Sequence, residues 1–278
     1  MKNREMLDAG AEHLKRAGIE EYVQDAWLLF SWVKHVDRTW YYLHMEEEAA
    51  ETDREAYFSL IGKRCLRIPL QYITGSQAFM GLDFAVTPAV LIPRQDTEIL
   101  VEACLKRLKA GSRVLDMCTG SGCILISLLY YGEKCTGTGA DISADALSVA
   151  RKNAQRNSVT AEFTESNLFE KIHGSFDMIV SNPPYIATEE IEGLMPEVRD
   201  YEPRLALDGT ADGLYFYREI VRQSGSCLEE DGWLCLEIGC DQAEAVCSLM
   251  GLEGFRETEV IQDLSGLDRV VVGKNRRK

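Results

Sequence analysis

The four residues Asn182-Pro183-Pro184-Tyr185 combine a side-chain amide, two prolines and an aromatic ring directly after an apolar segment. Each proline fixes φ and lacks a backbone donor, and Pro183 also favours an extended conformation at Asn182. The expected result is a rigid loop with exposed carbonyl groups. The Asn182 side-chain oxygen and the Pro183 carbonyl can then hold the two N–H bonds of a planar amide or amine, while Tyr185 stacks on the planar group.

Such a grip suits the transfer of a methyl group to nitrogen. An amide nitrogen is a poor nucleophile because its lone pair is delocalised, so a site must orient that lone pair towards the electrophile. Positioning and desolvation then promote direct in-line displacement without a dedicated strong base. The loop therefore predicts a methyltransferase that acts on a planar nitrogen and uses all four of its residues in catalysis.

A second motif, Val114–Gly122, consists of an apolar segment that leads into a glycine turn. Glycine lets the backbone approach a ligand closely because no side chain blocks it. The pair Gly120-x-Gly122 lacks the third glycine of a dinucleotide fingerprint, and Asp116 stands beside the turn. A carboxylate repels a pyrophosphate but attracts a cationic amino group, and S-adenosylmethionine carries such a group.

Two further polar residues follow later apolar segments and support a nucleoside ligand. Asp141 comes about 20 residues after the glycine turn, the spacing at which a carboxylate accepts hydrogen bonds from ribose hydroxyls. Asn167 both donates and accepts hydrogen bonds, which suits the edge of an adenine ring. Together with the glycine turn, they predict S-adenosylmethionine as the cofactor.

The elements that must position these motifs fall into three parts. Residues 1–70 repeat apolar positions at helical spacing and predict a small helical domain, with an aromatic turn at Asp37 to His44 and a capping box at Thr52-x-x-Glu55. Residues 71–94 predict a connecting β-hairpin that turns at Gly81-Leu82-Asp83. Residues 95–278 alternate predicted helices and strands, which indicates a parallel, doubly wound sheet.

Ligands of such sheets bind beyond the carboxyl ends of the strands. This rule places the strand ends near residues 118, 141, 165 and 181 around one crevice. The expected fold class is therefore α/β, a Rossmann-like S-adenosylmethionine-dependent methyltransferase sheet with a small N-terminal helical domain.

Composition narrows the class of substrate. The formal net charge of -15 repels phosphate backbones, and the basic run Lys274–Lys278 is short and is expected to be a solvated tail, so no direct nucleic-acid substrate is expected. The nine cysteines include no C-x-x-C pair and the four histidines lack ligand spacing, so no metal site is expected. The odd cysteine count with no secretion signal fits a reducing cytosol, so no disulfide is expected. The longest apolar stretch is too short to cross a bilayer, which predicts a soluble, cytoplasmic protein without a membrane partner.

The whole chain resembles the bacterial peptide chain release factor glutamine methyltransferases. Besides the Asn-Pro-Pro-Tyr loop, the resemblance is carried by three separated motifs in the same order. They are Pro69-Leu70-Gln71-Tyr72-Ile73-Thr74-Gly75, Val90-Leu91-Ile92-Pro93-Arg94-Gln95-Asp96-Thr97-Glu98, and Tyr201-Glu202-Pro203-Arg204-Leu205-Ala206-Leu207-Asp208-Gly209 with the following Asp212-Gly213-Leu214.

The resemblance implies that the helical domain helps to recognise a release factor and that the acceptor is the glutamine of its Gly-Gly-Gln tripeptide. It also implies that Asn182–Tyr185 hold this glutamine, with Arg94 and Glu98 either shaping the glutamine pocket or pairing with each other. A solvated pair at a helix start is the alternative for Arg94 and Glu98. The residues implied to contact S-adenosylmethionine are Cys118, Thr119, Gly120, Ser121, Gly122, Asp141, Leu168 or Asn167, and Asn182.

Three other functions are compatible with parts of this pattern. The same loop can grip an exocyclic amine of adenine or guanine in nucleic acid, against which the acidic charge counts. A glutamine of a ribosomal protein would require the same chemistry. A cofactor-binding scaffold without catalysis would not need an intact Asn182 and Tyr185.

Overall fold

The computed structural model describes residues 1–276, so the last two residues of the Lys274–Lys278 run lie outside the described part. The helices within it are α1 (Asn3–Arg16), α2 (Tyr22–Lys34), α3 (Arg38–His44), α4 (Glu51–Cys65), α5 (Leu70–Thr74), α6 (Thr97–Leu105), α7 (Cys123–Tyr131), α8 (Ala144–Arg156), α9 (Pro196–Tyr201), α10 (Tyr215–Cys227) and α11 (Ala243–Leu252). The strands are β1 (Ser76–Phe79), β2 (Leu82–Ala85), β3 (Arg113–Met117), β4 (Thr136–Asp141), β5 (Glu162–Glu165), β6 (Phe176–Ser181), β7 (Leu228–Glu237), β8 (Arg256–Gln262) and β9 (Asp268–Lys274). Short 3-10 turns occupy Ile191–Gly193 and Arg204–Ala206.

These elements form two compact units. The first contains Met1–Gly75 and Met195–Tyr201, and the second contains Ser76–Leu194 and the chain from Glu202 onward. Helix α9 therefore belongs to the helical unit although it follows β6 in the sequence. The division at Gly75 lies between the predicted boundaries at residues 70 and 94.

The helical unit packs α1, α2 and α4 around a small aromatic core. Met6, Phe30 and Tyr57 are fully buried in it. A Cβ atom at Gly10 would lie 2.1 Å from the Tyr57 hydroxyl oxygen, so only glycine lets α1 approach α4 this closely. The predicted N-terminal helical region is confirmed.

Two local predictions in this unit are wrong. Helix α4 starts at Glu51 after the N-cap Ala50, so Thr52 lies inside its first turn and forms no capping box. The segment from Asp37 to His44 is a helix rather than a turn, because the Asp37 carboxylate accepts a hydrogen bond from Trp40 N at 2.8 Å and caps α3.

The connecting hairpin is shorter than the predicted 71–94. Pro69 precedes the short helix α5, which ends at Gly75 with φ at 74°. The strands cover only residues 76–85, and the turn is Met80-Gly81, where both residues have positive φ. That geometry is typical of a two-residue hairpin turn and explains why the turn lies just before the predicted one.

The second unit is built on a seven-stranded sheet of order β5-β4-β3-β6-β7-β9-β8. The five strands from β5 to β7 are parallel, while β9 is antiparallel to both of its neighbours. Alternate side chains face opposite sides, so Leu115 and Met117 enter one buried cluster with α10 and α11, and Val114 enters another with α6 and α7. The predicted α/β fold is confirmed, with a mixed sheet in place of an entirely parallel one.

Candidate active site

A cavity of about 250 Å³ opens at the carboxyl ends of β3, β4, β5 and β6. The parallel direction of these strands brings the residues that follow them to one edge of the sheet, as the strand pattern predicts. Its lining includes Val90, Leu91, Pro93, Arg94, Thr97, Met117, Cys118, Thr119, Gly120, Ser121, Ile124, Asp141, Ile142, Ser143, Ser166, Asn167, Leu168, Asn182, Pro184, Pro203, Leu205, Ala206, Tyr215 and Phe216. All of them belong to the second unit.

The turn between β3 and α7 forms one wall of the cavity. Cys118, Gly120 and Gly122 have φ values of 60°, 53° and 80°, the left-handed region that favours glycine. A Cβ atom at Gly120 would meet nothing within 4 Å, so the space next to this backbone is open. Burial raises the pKa of the Cys118 thiol, which keeps it neutral and makes it a small lining group.

Asp116 does not line the cavity, contrary to its predicted place beside the amino group of the cofactor. Its side chain is fully buried, and its Oδ2 accepts hydrogen bonds from Thr119 Oγ1 at 2.6 Å and from Leu125 N at 3.3 Å. Burial raises the pKa of Asp116 to about 7. The carboxyl group therefore fixes the glycine turn to the first turn of α7, because Asp116 points to the face of the sheet that α7 covers.

Asp141 lines the cavity at the end of β4. Its Oδ2 accepts a hydrogen bond from Gly120 N and its Oδ1 accepts one from Ser143 N, both at 2.9 Å. Burial raises the pKa of this carboxyl group above its ordinary value. Each oxygen has a second lone pair, so the side chain can accept further hydrogen bonds from a ligand.

Three further residues line the same cavity as Asp141, and two of them are apolar and one is polar. Leu168 is buried and adopts a left-handed φ of 48°, and Ile142 exposes half of its side chain at the cavity. Asn167 is exposed, and its Nδ2 donates a hydrogen bond to Glu170 Oε1 at 2.9 Å. Its side-chain oxygen can accept a hydrogen bond from another group. Ile142 had no predicted role, although it directly follows Asp141 in the sequence.

The Asn182–Tyr185 loop divides its side chains between two cavities. Asn182 and Pro184 line the main cavity, whereas Tyr185 lines a neighbouring cavity with Gln242 and Arg269. Pro183 is buried and lines neither. Burial raises the pKa of Tyr185 to about 12, so its ring is a neutral packing surface. The predicted stacking of Tyr185 on a group held by Asn182 is not seen in the arrangement of these cavities.

Two acceptors of this loop have no donor among the described residues. Asn182 Nδ2 donates to Thr97 Oγ1 at 3.4 Å, while Asn182 Oδ1 accepts no hydrogen bond from residues 1–276. The Pro183 carbonyl likewise accepts none from these residues. These are the two oxygens that the sequence predicts to hold the N–H bonds of the acceptor.

Arg94 and Glu98 do not pair with each other. Arg94 lines the cavity and forms an ion pair with the buried Glu202, whose other oxygen accepts a hydrogen bond from Ile92 N at 3.3 Å. Glu98 accepts a hydrogen bond from Met80 N at 2.6 Å and does not line the cavity. The direction of α6 causes this difference, because it turns Glu98 towards the hairpin, and the predicted substrate contact of Glu98 is not supported.

Sequence reasoning missed the residues behind the loop. Thr97 is buried, accepts from Asn182 and stabilises the charge of Glu237 through a hydrogen bond. Glu237 ends β7, is fully buried, and burial raises its pKa to about 7. The sequence could have indicated Glu237, because it is an acidic residue at the end of an apolar strand, as Asp141 is at the end of β4.

Comparison with known proteins adds family matches over both units. The model of the PrmC N-terminal domain matches residues 5–75, and that of the Methyltransferase small domain matches residues 94–197. The release factor glutamine methyltransferase of Geobacter sulfurreducens is 43% identical over 98% of this chain and 96% of its own. The protein of the same name from Clostridium acetobutylicum is 40% identical over 98% of each chain.

A solved structure shares the fold of the second unit. The 16S rRNA N2 G1207 methyltransferase of T. thermophilus, solved in complex with AdoMet and guanosine, superposes with a TM-score of 0.53. It is 18% identical and covers 72% of this chain and 50% of its own, so the likeness concerns the fold alone. None of the helices in residues 1–276 is long and apolar enough to span a membrane.

Proposed function

The chain belongs to the release factor glutamine methyltransferase family, and from this membership we propose that it methylates the glutamine of the Gly-Gly-Gln motif in peptide chain release factors. The methyl group of S-adenosylmethionine would be transferred to the side-chain amide nitrogen, with release of S-adenosylhomocysteine and loss of one N–H proton from the nitrogen to solvent. The observation that carries this proposal is Asn182 Oδ1, an acceptor on a residue that lines the cavity and that has no donor among the described residues.

The residues that line the cavity support S-adenosylmethionine as the cofactor. The open space at Gly120 admits a ligand close to the backbone, and Asp141 can accept hydrogen bonds from ribose hydroxyls. Ile142 and Leu168 offer apolar surface to a planar base, and Asn167 offers an amide to its edge. When bound, S-adenosylmethionine supplies an electrophilic methyl group on a positively charged sulfur.

The residues of this chain act by holding the acceptor. Asn182 Oδ1 and the Pro183 carbonyl accept the two N–H bonds of the glutamine amide, which turns its nitrogen lone pair out of the plane that the acceptors occupy. Pro184 and the apolar lining exclude water from the reacting nitrogen. Neither acceptor is a strong base, so the rate enhancement comes from orientation and desolvation.

Arg94 is proposed to contact the substrate side of the cavity. The buried Glu202 holds its guanidinium group by an ion pair, and the Arg94 side chain is 39% exposed. A partly exposed, fixed guanidinium presents several N–H donors in a plane, which suits the carbonyl oxygen of an amide.

The proposed function is tested by a transfer assay with labelled S-adenosylmethionine. We expect label on a purified release factor, and none on the same factor when the glutamine of its Gly-Gly-Gln motif is replaced by alanine. A ribosomal protein and tRNA serve as alternative acceptors in parallel reactions. Label on either of these, together with none on the release factor, contradicts the proposal.

The catalytic assignment has its own test within the same assay. Asn182→Ala removes the side-chain acceptor, and we expect methyl transfer to fall by about a hundredfold or more, as for the loss of one oriented transition-state hydrogen bond. Thr138→Val, in β4 and outside the cavity lining, is the control for a polar group lost from the same sheet. Unchanged transfer by Asn182→Ala rules out the assigned role.

A further inference from the structure

Gln242 connects the end of β7 to the Asn182–Tyr185 loop. It precedes α11 as the N-cap residue, and its Nε2 donates to the Tyr185 carbonyl at 3.0 Å. Its Oε1 accepts a hydrogen bond from Gly239 N at 2.9 Å and lies 3.3 Å from the Tyr217 hydroxyl, whose shorter hydrogen bond goes to the Glu237 carbonyl at 2.9 Å. Gln242 is therefore bonded at both ends of its amide.

The orientation of this amide follows from chemistry. Gly239 N–H is a backbone donor, so the atom that faces it must be the Gln242 oxygen, and the nitrogen must face Tyr185. The fit is also tight, because a Cβ atom at Gly213 would lie 2.8 Å from Gln242 Nε2 and 2.3 Å from the Tyr185 carbonyl oxygen. Only glycine at position 213 leaves room for this hydrogen bond.

The Asn182–Tyr185 loop needs hydrogen bonds from other segments, because two of its four residues lack a backbone donor. Pro183 and Pro184 have no N–H group, so two consecutive residues of the loop cannot donate backbone hydrogen bonds. Asn182 contributes one long hydrogen bond to Thr97. The bond from Gln242 to the Tyr185 carbonyl fixes the other end of the loop to the turn that follows β7, the strand that pairs with β6.

We propose that Gln242 is a positioning residue that holds the Asn182–Tyr185 loop in the geometry required for methyl transfer. This inference rests on the proposed function of the loop and adds a residue outside the cavity that binds the reactants. Gln242 acts through the Tyr185 carbonyl, so it influences the rate of transfer and leaves the affinity for S-adenosylmethionine unchanged.

The sharpest test replaces the amide by a carboxyl group. In Gln242→Glu, a protonated carboxyl group reproduces the pattern of one donor and one acceptor, whereas an ionised carboxylate faces the Tyr185 carbonyl without a proton. The charged and titratable groups around this position are Cys240 and Asp241 in the same turn, Glu190 and Asp212 across the neighbouring cavity with Arg218 paired to Asp212, and Arg269, Tyr185, Tyr217 and Glu237. The four carboxyl groups favour the protonated form of an added carboxyl group, and the two arginines oppose it.

We expect the ratio of kcat in Gln242→Glu to kcat in the unmodified protein to rise by about tenfold as the pH falls through the titration of the new carboxyl group. Gln242→Leu, which can form neither bond, should lower kcat by about tenfold at every pH. The matched control is Gln155→Glu on the exposed face of α8, whose ratio should not vary with pH. The Kd for S-adenosylmethionine should be the same in all four proteins.

A second readout needs no substrate. The ¹⁵N chemical shift of the Ile186 amide reports on the hydrogen bond to the preceding Tyr185 carbonyl. With selective labelling, we expect this chemical shift to change in Gln242→Leu and to stay the same in Gln155→Glu. A pH-independent ratio for Gln242→Glu, or an unchanged Ile186 shift in Gln242→Leu, overturns the inference. If the unmodified protein transfers no methyl group to a release factor, the proposed function fails, and the Ile186 shift still decides whether Gln242 braces the loop.

Discussion

At the scale of single residues, Asp141 combines two tasks. Its two oxygens hold Gly120 N and Ser143 N, and thereby fix the glycine turn and the start of α8 relative to β4. The remaining lone pairs face a cavity into which a ribose can place hydroxyl groups. A single carboxylate thus shapes the cavity and, in the proposed function, also binds the cofactor.

We expect Asp141→Asn to weaken S-adenosylmethionine binding by about tenfold or more, that is, by at least ~1.4 kcal/mol. Asparagine retains one acceptor, but its NH₂ group must face one of two backbone N–H donors. Isothermal titration calorimetry measures the Kd directly. Asp145→Asn, in the exposed first turn of α8, removes the same charge and should bind the cofactor normally. Equal affinities in both variants would contradict the role of Asp141.

The sequence identified the residues at strand ends better than it identified the direction of their side chains. Asp141 is the last residue of β4 and Asn182 directly follows β6, so the order of the parallel strands alone brings them to the cavity. Asp116 lies inside β3, and whether it faces the ligand or α7 depends on packing that the local pattern does not contain. Glu98 was misjudged for the same reason, because its partner Met80 is distant in the sequence.

At the scale of elements, the loop after β6 lies so close to the backbone at Gly209 and Gly213 that a side chain at either position would clash with it. A Cβ atom at Gly209 would lie 2.8 Å from the Tyr185 backbone, and one at Gly213 would lie 2.3 Å from its carbonyl oxygen. Ile186 next to them pairs with Asp208 as an isolated bridge. The segment from 207 to 213 therefore packs closely against the Asn182–Tyr185 loop.

We expect Gly213→Ala to displace the Tyr185 carbonyl and to lower both kcat and stability, the latter by about 1–3 kcal/mol. The clash involves backbone atoms on both sides, and the φ of 70° at Gly213 is unfavourable for alanine. Gly193→Ala is the control, because a Cβ atom there meets nothing within 4 Å. Thermal unfolding and kcat are the measurements, and a Gly213→Ala protein as active and stable as Gly193→Ala refutes the close fit.

The elements themselves were largely predictable, and their ends less so. Strand β3 and helix α7 have the bounds that their apolar patterns indicate, because both are buried along most of their length. Helix α9 was not predicted, since its six residues carry too few apolar positions for a periodic signal. Its place is set by ion pairs with residues that are more than a hundred positions away.

At the scale of the whole molecule, a chain with a large net negative charge also buries carboxyl groups in its interior. The chain has a formal net charge of -15, and the two buried carboxyl groups Asp116 and Glu237 both have pKa values that burial raises to about 7. In the unfolded chain these groups lose their protons near pH 4. Between pH 4 and 7 these two groups therefore hold more protons in the folded protein than in the unfolded chain.

We expect stability to decrease as the pH rises through this window and to level off above about pH 7. The free energy of unfolding falls with rising pH because Asp116 and Glu237 lose their protons at lower pH in the unfolded chain than in the folded protein. Raising the pH therefore stabilises the unfolded chain relative to the folded protein. The Tm should fall by about 5 °C or more between pH 5 and pH 8.

Two variants locate the origin of this dependence. Glu237→Gln should flatten it and raise the Tm at pH 8, since it removes a buried charge. Glu244→Gln, in the exposed first turn of α11, should leave the dependence as it is. A Tm that rises from pH 5 to pH 8 in the unmodified protein would show that other groups dominate.

Helix α9 gives the helical unit a boundary that no single cut in the sequence reproduces. Arg64 is buried and binds both Asp25 and Glu197, and Glu197 also binds Arg67. A fragment that ends at residue 75 would leave this arginine with half of its counter-charge. For protein engineering, the exchangeable module is thus discontinuous: a chimaera between two relatives must transplant residues 195–201 together with residues 1–75, or it inherits a mismatched ion-pair cluster.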